Sequence, residues 1–262
     1  MPTDPTEPWS APGIPRESDG RRVGVLVLPG FTGSPVSVRP WAAPLNDAGY
    51  AVAVPRLPGH GTRWQELNRT TYADWYGEAE AAFEKISSDV DQVVVAGLSM
   101  GGCLALDLAE RRGREVTGLV LVNPIVNRDR RDLVLLPLLK HVVPALPGIG
   151  NHIKKVGGDE VAYTRTPLRA AHSMFQAIKV VRTRLPEVTQ PLLLFRSLTD
   201  LVVDSSSGRI IMSEVSSRDL EERVLEDSYH VATLDNDAPA VFEGTVEFLR
   251  RVTAPPSPGP AA

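Results

Sequence analysis

The sequence predicts an α/β fold, with a mostly parallel central sheet flanked on both faces by helices and one helical cap inserted in the second half of the chain. Three observations carry this expectation. Apolar runs at 23–28, 50–54, 92–98, 117–123 and 191–195 lack the polar alternation of a half-exposed strand, as expected of strands buried on both faces. Helical stretches near 36–48, 72–87, 100–112, 205–215 and 237–250 separate them, and such strand–helix alternation favours parallel pairing. Between Asn127 and Pro186 the alternation stops, which marks the insertion. At 262 residues, one domain with an insertion accounts for the length better than two domains.

Residues 1–20 are rich in proline and polar groups and read as an extended segment, with Trp9 and Ile14 available to pack along the surface. The core is assigned to 21–126 and 187–253. Val23–Leu28 ends at Pro29-Gly30, and the loop Gly30-Phe31-Thr32-Gly33-Ser34-Pro35 leads into the first helix. The loop Pro58-Gly59-His60-Gly61 precedes the helix at 72–87, which Thr70 and Thr71 are suited to cap. Gln92–Leu98 runs into Gly97-Leu98-Ser99-Met100-Gly101, a strand, tight turn and helix in succession. The cap, 127–186, holds two apolar clusters, Leu133–Leu139 and Val142–Gly148, before a helix at about 167–184. Their leucines read equally as pocket lining and as ordinary core. A strand near Arg223–Leu225 and the loop Glu226-Asp227-Ser228-Tyr229-His230 precede the last helix, and 254–262 is a proline-rich tail.

Composition removes several function classes. A formal charge of −4 leaves no electrostatic footprint for nucleic acid. The single cysteine, Cys103, excludes an internal disulfide and a thiolate metal cluster, and its helical position reads as a small buried hydrophobe. No metal-binding His-Glu-x-x-His or phosphate-binding glycine loop occurs, so no cofactor or metal is expected. The chain has no run of 18 apolar residues, so integral membrane association is not expected. The first residues lack the basic and apolar regions of a signal peptide, which makes a cytoplasmic location the default expectation.

Loops at the carboxyl ends of parallel strands share one crevice, where residues distant in sequence meet. Ser99, Asp200 and His230 each follow a predicted strand, in the order expected of α/β-hydrolases. A serine needs a base to become a nucleophile, and His230 suits that role. The imidazole in turn needs a carboxylate to fix its tautomer. Asp200 is preferred over Asp204, which reads as a helix cap. Oxyanion donors are expected from the backbone N–H groups of Met100, which follows the serine, and of Phe31, in the loop after 23–28. Read on its own, the Gly-x-Ser-x-Gly turn also fits a structural turn whose serine only caps a helix. His60, between two glycines, reads as a structural loop residue that is also within reach of the crevice.

Five segments together resemble a known family. Gly30-Phe31-Thr32-Gly33, Pro55-Arg56-Leu57-Pro58-Gly59-His60-Gly61-Thr62, Thr70-Thr71-Tyr72-Ala73-Asp74-Trp75, Gly97–Gly102 and Ser228-Tyr229-His230-Val231-Ala232-Thr233-Leu234-Asp235 are similar to those of bacterial monoacylglycerol lipases and small thermostable carboxylesterases. The resemblance spans about 22–250. It implies an α/β-hydrolase fold, a Ser99, Asp200, His230 triad, an oxyanion hole at Phe31 and Met100, and a helical cap over an acyl pocket. It also implies that Glu160 binds the glycerol hydroxyls, although the sequence alone reads Glu160 equally as a solvated helix charge. Pro29 stands where the family usually has histidine before glycine, and Asn123–Val126 with the cap beyond is less similar. The expected partner is a small-molecule ester with an acyl chain. A general short-chain carboxylesterase and a non-catalytic ligand-binding protein of the same fold are the other readings.

Overall fold

Successive side chains of each apolar run enter opposite cores, and this period of two builds the layers. The computed structural model describes residues 4–127, 136–148 and 150–255; Leu133–Leu135 of the first cap cluster and most of the proline-rich tail lie outside them. In chain order the elements are β1 (Trp9–Ala11), β2 (Val23–Leu28), α1 (Arg39–Asp47), β3 (Ala51–Val54), α2 (Trp64–Leu67), α3 (Tyr72–Ser87), β4 (Gln92–Leu98), α4 (Met100–Arg112) and β5 (Val116–Val122). After them come α5 (Leu136–Leu139), β6 (Ala145–Pro147), β7 (Arg165–Pro167), α6 (Leu168–Arg184), β8 (Leu192–Ser197), α7 (Ser206–Glu214), β9 (Leu220–Leu225) and α8 (Ala238–Val252).

Seven strands form the main sheet in the order β1-β3-β2-β4-β5-β8-β9, parallel except for β1, which runs antiparallel along β3. Leu26, Val95 and Leu121 pack with Trp75 and Phe83 of α3 and Leu104 of α4 on one face. Val25, Val94 and Val120 pack with Trp41 of α1 and Val241 and Phe248 of α8 on the other. The chain is therefore an α/β-hydrolase fold with a mostly parallel sheet covered on both sides.

Local chemistry explains the helices next to the site. On α3, Tyr72, Trp75, Ala79, Phe83 and Ile86 form one buried stripe. Its start is fixed by Asp74, whose carboxylate accepts the Thr71 N–H at 2.8 Å, half of a capping box. Helix α4 is buried along most of its length, Cys103 included. Burial pushes the Cys103 thiol well up, which keeps it unreactive.

Within the long connection between β5 and β8, α5 and α6 are joined by an antiparallel pairing of β6 with β7, which periodicity does not signal. Three-residue strands carry too few positions to show alternation. No helix among the described residues is long and apolar enough to cross a membrane.

Candidate active site

The turn after β4 is strained. Ser99 has φ +56° and ψ −116°, a region costly for any side chain and typical of a strand-to-helix elbow that projects a nucleophile. Its neighbours have no room for a side chain. A Cβ on Gly101 would lie 2.1 Å from the Leu28 carbonyl oxygen, and one on Gly97 2.2 Å from that of Gly101. Strand, turn and helix thus close together only because both positions are glycine.

His230 and Asp200 complete a relay. The Ser99 hydroxyl donates to His230 Nε2 at 2.9 Å, and His230 Nδ1–H donates to Asp200 Oδ2 at 2.7 Å. An ionised carboxylate only accepts, so Asp200 places the proton on Nδ1 and leaves Nε2 free to accept from serine. The other oxygen, Asp200 Oδ1, accepts the N–H groups of Val202 and Val203 at 2.8 and 2.9 Å. Burial alone would raise the Asp200 pKa, but the His230 charge and these hydrogen bonds outweigh it and hold the carboxyl below its ordinary value. The rival, Asp204, caps α7 through the Ser206 N–H at 2.8 Å.

Gly30 brings the loop after β2 against the serine: a Cβ there would sit 3.4 Å from Ser99 Cβ. Phe31 follows in that loop, and both it and Ser99 line one pocket. No hydrogen bond among the described residues engages the N–H of Phe31 or of Met100, so these two donors are unspent. Pro29 in place of histidine leaves this close approach in place.

His60 lies behind the loop rather than in the crevice. Its ring is fully buried, 5.3 Å from the Trp75 ring and 6.2 Å from the Phe31 ring by centroids, both edge-on. Nδ1 faces the Pro58 carbonyl at 3.2 Å, and Nε2 has no partner among the described residues. Burial drives its pKa down from 6.5 to about 4, so the ring is neutral in the fold. Between those values the unfolded chain binds a proton that the native state refuses. Stability conferred by this residue is therefore full above about 6.5 and lost progressively as the pH falls towards 4. The expected loss is about 3 kcal/mol at a slope of about 1.4 kcal/mol per pH unit. Urea unfolding at several pH values will check it: His60→Phe should flatten the dependence, and an unchanged slope contradicts the assignment.

Glu160 corrects the helix-charge reading. It lies outside any helix and is only 9% exposed. Its Oε1 accepts the Asn151 N–H at 2.7 Å, and its own N–H donates to Asn151 Oδ1 at 2.9 Å. Burial raises its pKa, opposed by the Asn151 N–H and the His230 charge. This carboxyl shares with Ser99 and His230 a cavity of about 290 Å³, whose apolar wall includes Leu136, Leu139, Leu146, Leu168, Met174 and Phe175. A larger groove of about 690 Å³ between β1 and α3 contains none of these site residues, so size alone does not locate the chemistry.

Three supporting residues escaped the sequence reading. Asn123, at φ +44°, donates from Nδ2 to the His230 carbonyl at 2.8 Å and accepts the Ser197 N–H at 2.7 Å, tying the histidine loop to β5 and β8. The Ser197 hydroxyl adds a 2.7 Å bond to the Tyr229 carbonyl. His152 accepts the His230 N–H on Nδ1 at 3.3 Å and stacks on Tyr229. The placement of Asn123 at a strand end, where asparagine tolerates positive φ, was a readable signal; nothing local pointed to His152.

The family model described as serine aminopeptidase, S33, matches residues 20–237. The chain is 35% identical over 236 residues to a thermostable monoacylglycerol lipase of Bacillus sp. (strain H-257), covering 87% of this chain and 91% of that protein. It is 26% identical over 229 residues to a carboxylesterase of Bacillus subtilis (strain 168), covering 87% and 92%. A solved structure from work on LipS and LipT, two metagenome-derived lipolytic enzymes, superposes with a TM-score of 0.89 at 37% identity, covering 94% of this chain and 98% of that one.

Proposed function

The chain belongs to the serine aminopeptidase, S33, family, and we propose that it is a serine hydrolase of carboxylic esters that acts on monoacylglycerols through an acyl-enzyme. The observation that carries this reading is the opening of the Ser99–His230–Asp200 relay into an apolar cavity that also holds one buried carboxyl, Glu160. Ser99 Oγ attacks the ester carbonyl while His230 Nε2 takes its proton. The N–H groups of Phe31 and Met100 receive the oxyanion. His230 then returns the proton to the departing glycerol, and water releases the fatty acid by the same steps. Residues 127–186 act as the cap, with the leucines and Met174 on the acyl chain and Glu160 accepting from glycerol hydroxyls. The apolar wall favours an acyl substrate over the peptides that the family's description suggests.

A panel of monoacylglycerols, methyl esters of the same acids, short-chain esters and aminoacyl anilides tests this. Monoacylglycerol hydrolysis is expected to exceed that of the matching methyl ester. Glu160→Gln should raise KM for monoacylglycerol about tenfold, the loss of one hydrogen bond to a charged acceptor, and leave the methyl ester unaffected. Equal rates for the two esters in the unsubstituted protein would remove the glycerol assignment and favour a general carboxylesterase.

A further inference from the structure

The segment that ends in Asp235 does more than present His230. Asp235 is 1% exposed, and its two oxygens accept four backbone N–H groups. Oδ2 takes those of Tyr229 and Lys154 at 2.8 and 2.7 Å, and Oδ1 those of Lys155 and Asn236, both at 2.8 Å. Tyr229 directly precedes His230, whereas Lys154 and Lys155 belong to the connection between β5 and β8. A single carboxylate oxygen therefore bridges the histidine loop and the cap segment.

The same two stretches meet at further points. The His230 N–H donates to His152 Nδ1 at 3.3 Å, the Val231 N–H to the His152 carbonyl at 3.2 Å, and Lys154 Nζ pairs with Asp227 at 2.6 Å. At the start of the segment, Asn151 is locked to Glu160 by their reciprocal pair of hydrogen bonds. Asp235, residues 151–155 and Glu160 thus form one connected path that begins beside His230 and returns to the cavity containing Ser99.

We infer that Asp235 is a positioning residue: it fastens the 151–155 segment to the histidine loop and so keeps the Glu160 carboxyl in register with Ser99. It touches neither the serine nor the cavity. Its effect on selectivity rests on the reading of Glu160 as the polyol acceptor, whereas the coupling of the segment to the histidine loop does not. Four N–H donors converging on two oxygens require an ionised carboxylate. An amide at this position turns its own N–H₂ towards one pair of donors and loses two bonds, with little change of volume.

The test uses Asp235→Asn and, as the complete deletion, Asp235→Ala, both checked for folding by circular dichroism. The first readout needs no substrate. The imidazole of His152, assigned with His152→Gln, is followed by NMR titration; burial holds its pKa below the ordinary histidine value in the intact protein. The Asp235 charge itself raises this pKa, so its loss in Asp235→Asn acts downwards, and a move up towards the ordinary value is the expected mark of a loosened segment. The second readout is the ratio of kcat/KM for a monoacylglycerol to that for the matching methyl ester, expected to fall about tenfold, chiefly through KM. Fluorophosphonate labelling of Ser99 should slow less than threefold. A His152 pKa that is unmoved or lowered, with both esters reduced in parallel, would overturn the proposal and leave Asp235 a stability residue. A ratio already near one in the unsubstituted protein, with the His152 pKa still rising in Asp235→Asn, would defeat the polyol reading while supporting the coupling.

Discussion

Replacing Ser99 by alanine is expected to lower ester hydrolysis by about 10⁴–10⁶-fold and to abolish labelling by a fluorophosphonate, with the fold unchanged. In the proposed mechanism the hydroxyl both attacks and surrenders its proton to His230, 2.9 Å away, and among the described residues lining the cavity no other side chain offers a nucleophile beside an imidazole. Stability supplies an independent check. At φ +56° and ψ −116° the strain belongs to the backbone and to any Cβ, so Ser99→Ala should leave the urea midpoint nearly unchanged. Ser99→Gly should raise stability by about 1 kcal/mol, because relief of that strain exceeds the added freedom of the unfolded chain. A protein whose function requires the nucleophile keeps a turn that is suboptimal for folding. Undiminished hydrolysis by Ser99→Ala, or no labelling of well-folded unsubstituted protein, would sink the enzyme reading and favour a ligand-binding protein of the same fold.

What the sequence disclosed and what it hid divide along physical lines. The buried strands β2, β4, β5 and β8 were legible because a strand covered on both faces must be apolar throughout, which is a local signature. The elbow was legible because its geometry tolerates only glycine at positions 97 and 101. Strand β1 had no such signature: Trp9–Ala11 takes its conformation from the free edge of β3, and three residues among prolines carry no period. Glu160 was left open between two readings for a related reason. A charged residue in a polar stretch looks solvated until the chain folds over it, and its neighbour Asn151, nine positions away, satisfies it in a way no helical spacing anticipates. His152 and Asp235 belong to the same class, since their roles exist only where two distant loops meet. Long-range order could be inferred for the sequence Ser, Asp, His because strand topology fixes where those loops emerge; the layer that steadies them follows no comparable rule.

Asp200→Asn is expected to reduce kcat about 10⁴-fold with KM little changed, while Asp204→Asn stays within threefold of the unsubstituted protein. The surroundings dictate how the new amide sits. Its oxygen must remain on the side of Oδ1, where the N–H groups of Val202 and Val203 converge at 2.8 and 2.9 Å, since the amide N–H₂ would oppose both donors. The N–H₂ is then forced to the Oδ2 side, facing His230 Nδ1, which sits 2.7 Å from the native oxygen. A donor there compels Nδ1 to accept, so the ring proton moves to Nε2 and the base that faced Ser99 is gone. Geometry is preserved while the tautomer is inverted, so binding survives and chemistry fails. Asp204 offers no such coupling: it is exposed, caps α7 through Ser206, and its loss should cost no more than about 1 kcal/mol of stability. Steady-state kinetics on one ester, paired with urea unfolding of both variants, separates the two carboxylates. Equal loss of activity in both would mean that Asp204 supports the histidine after all.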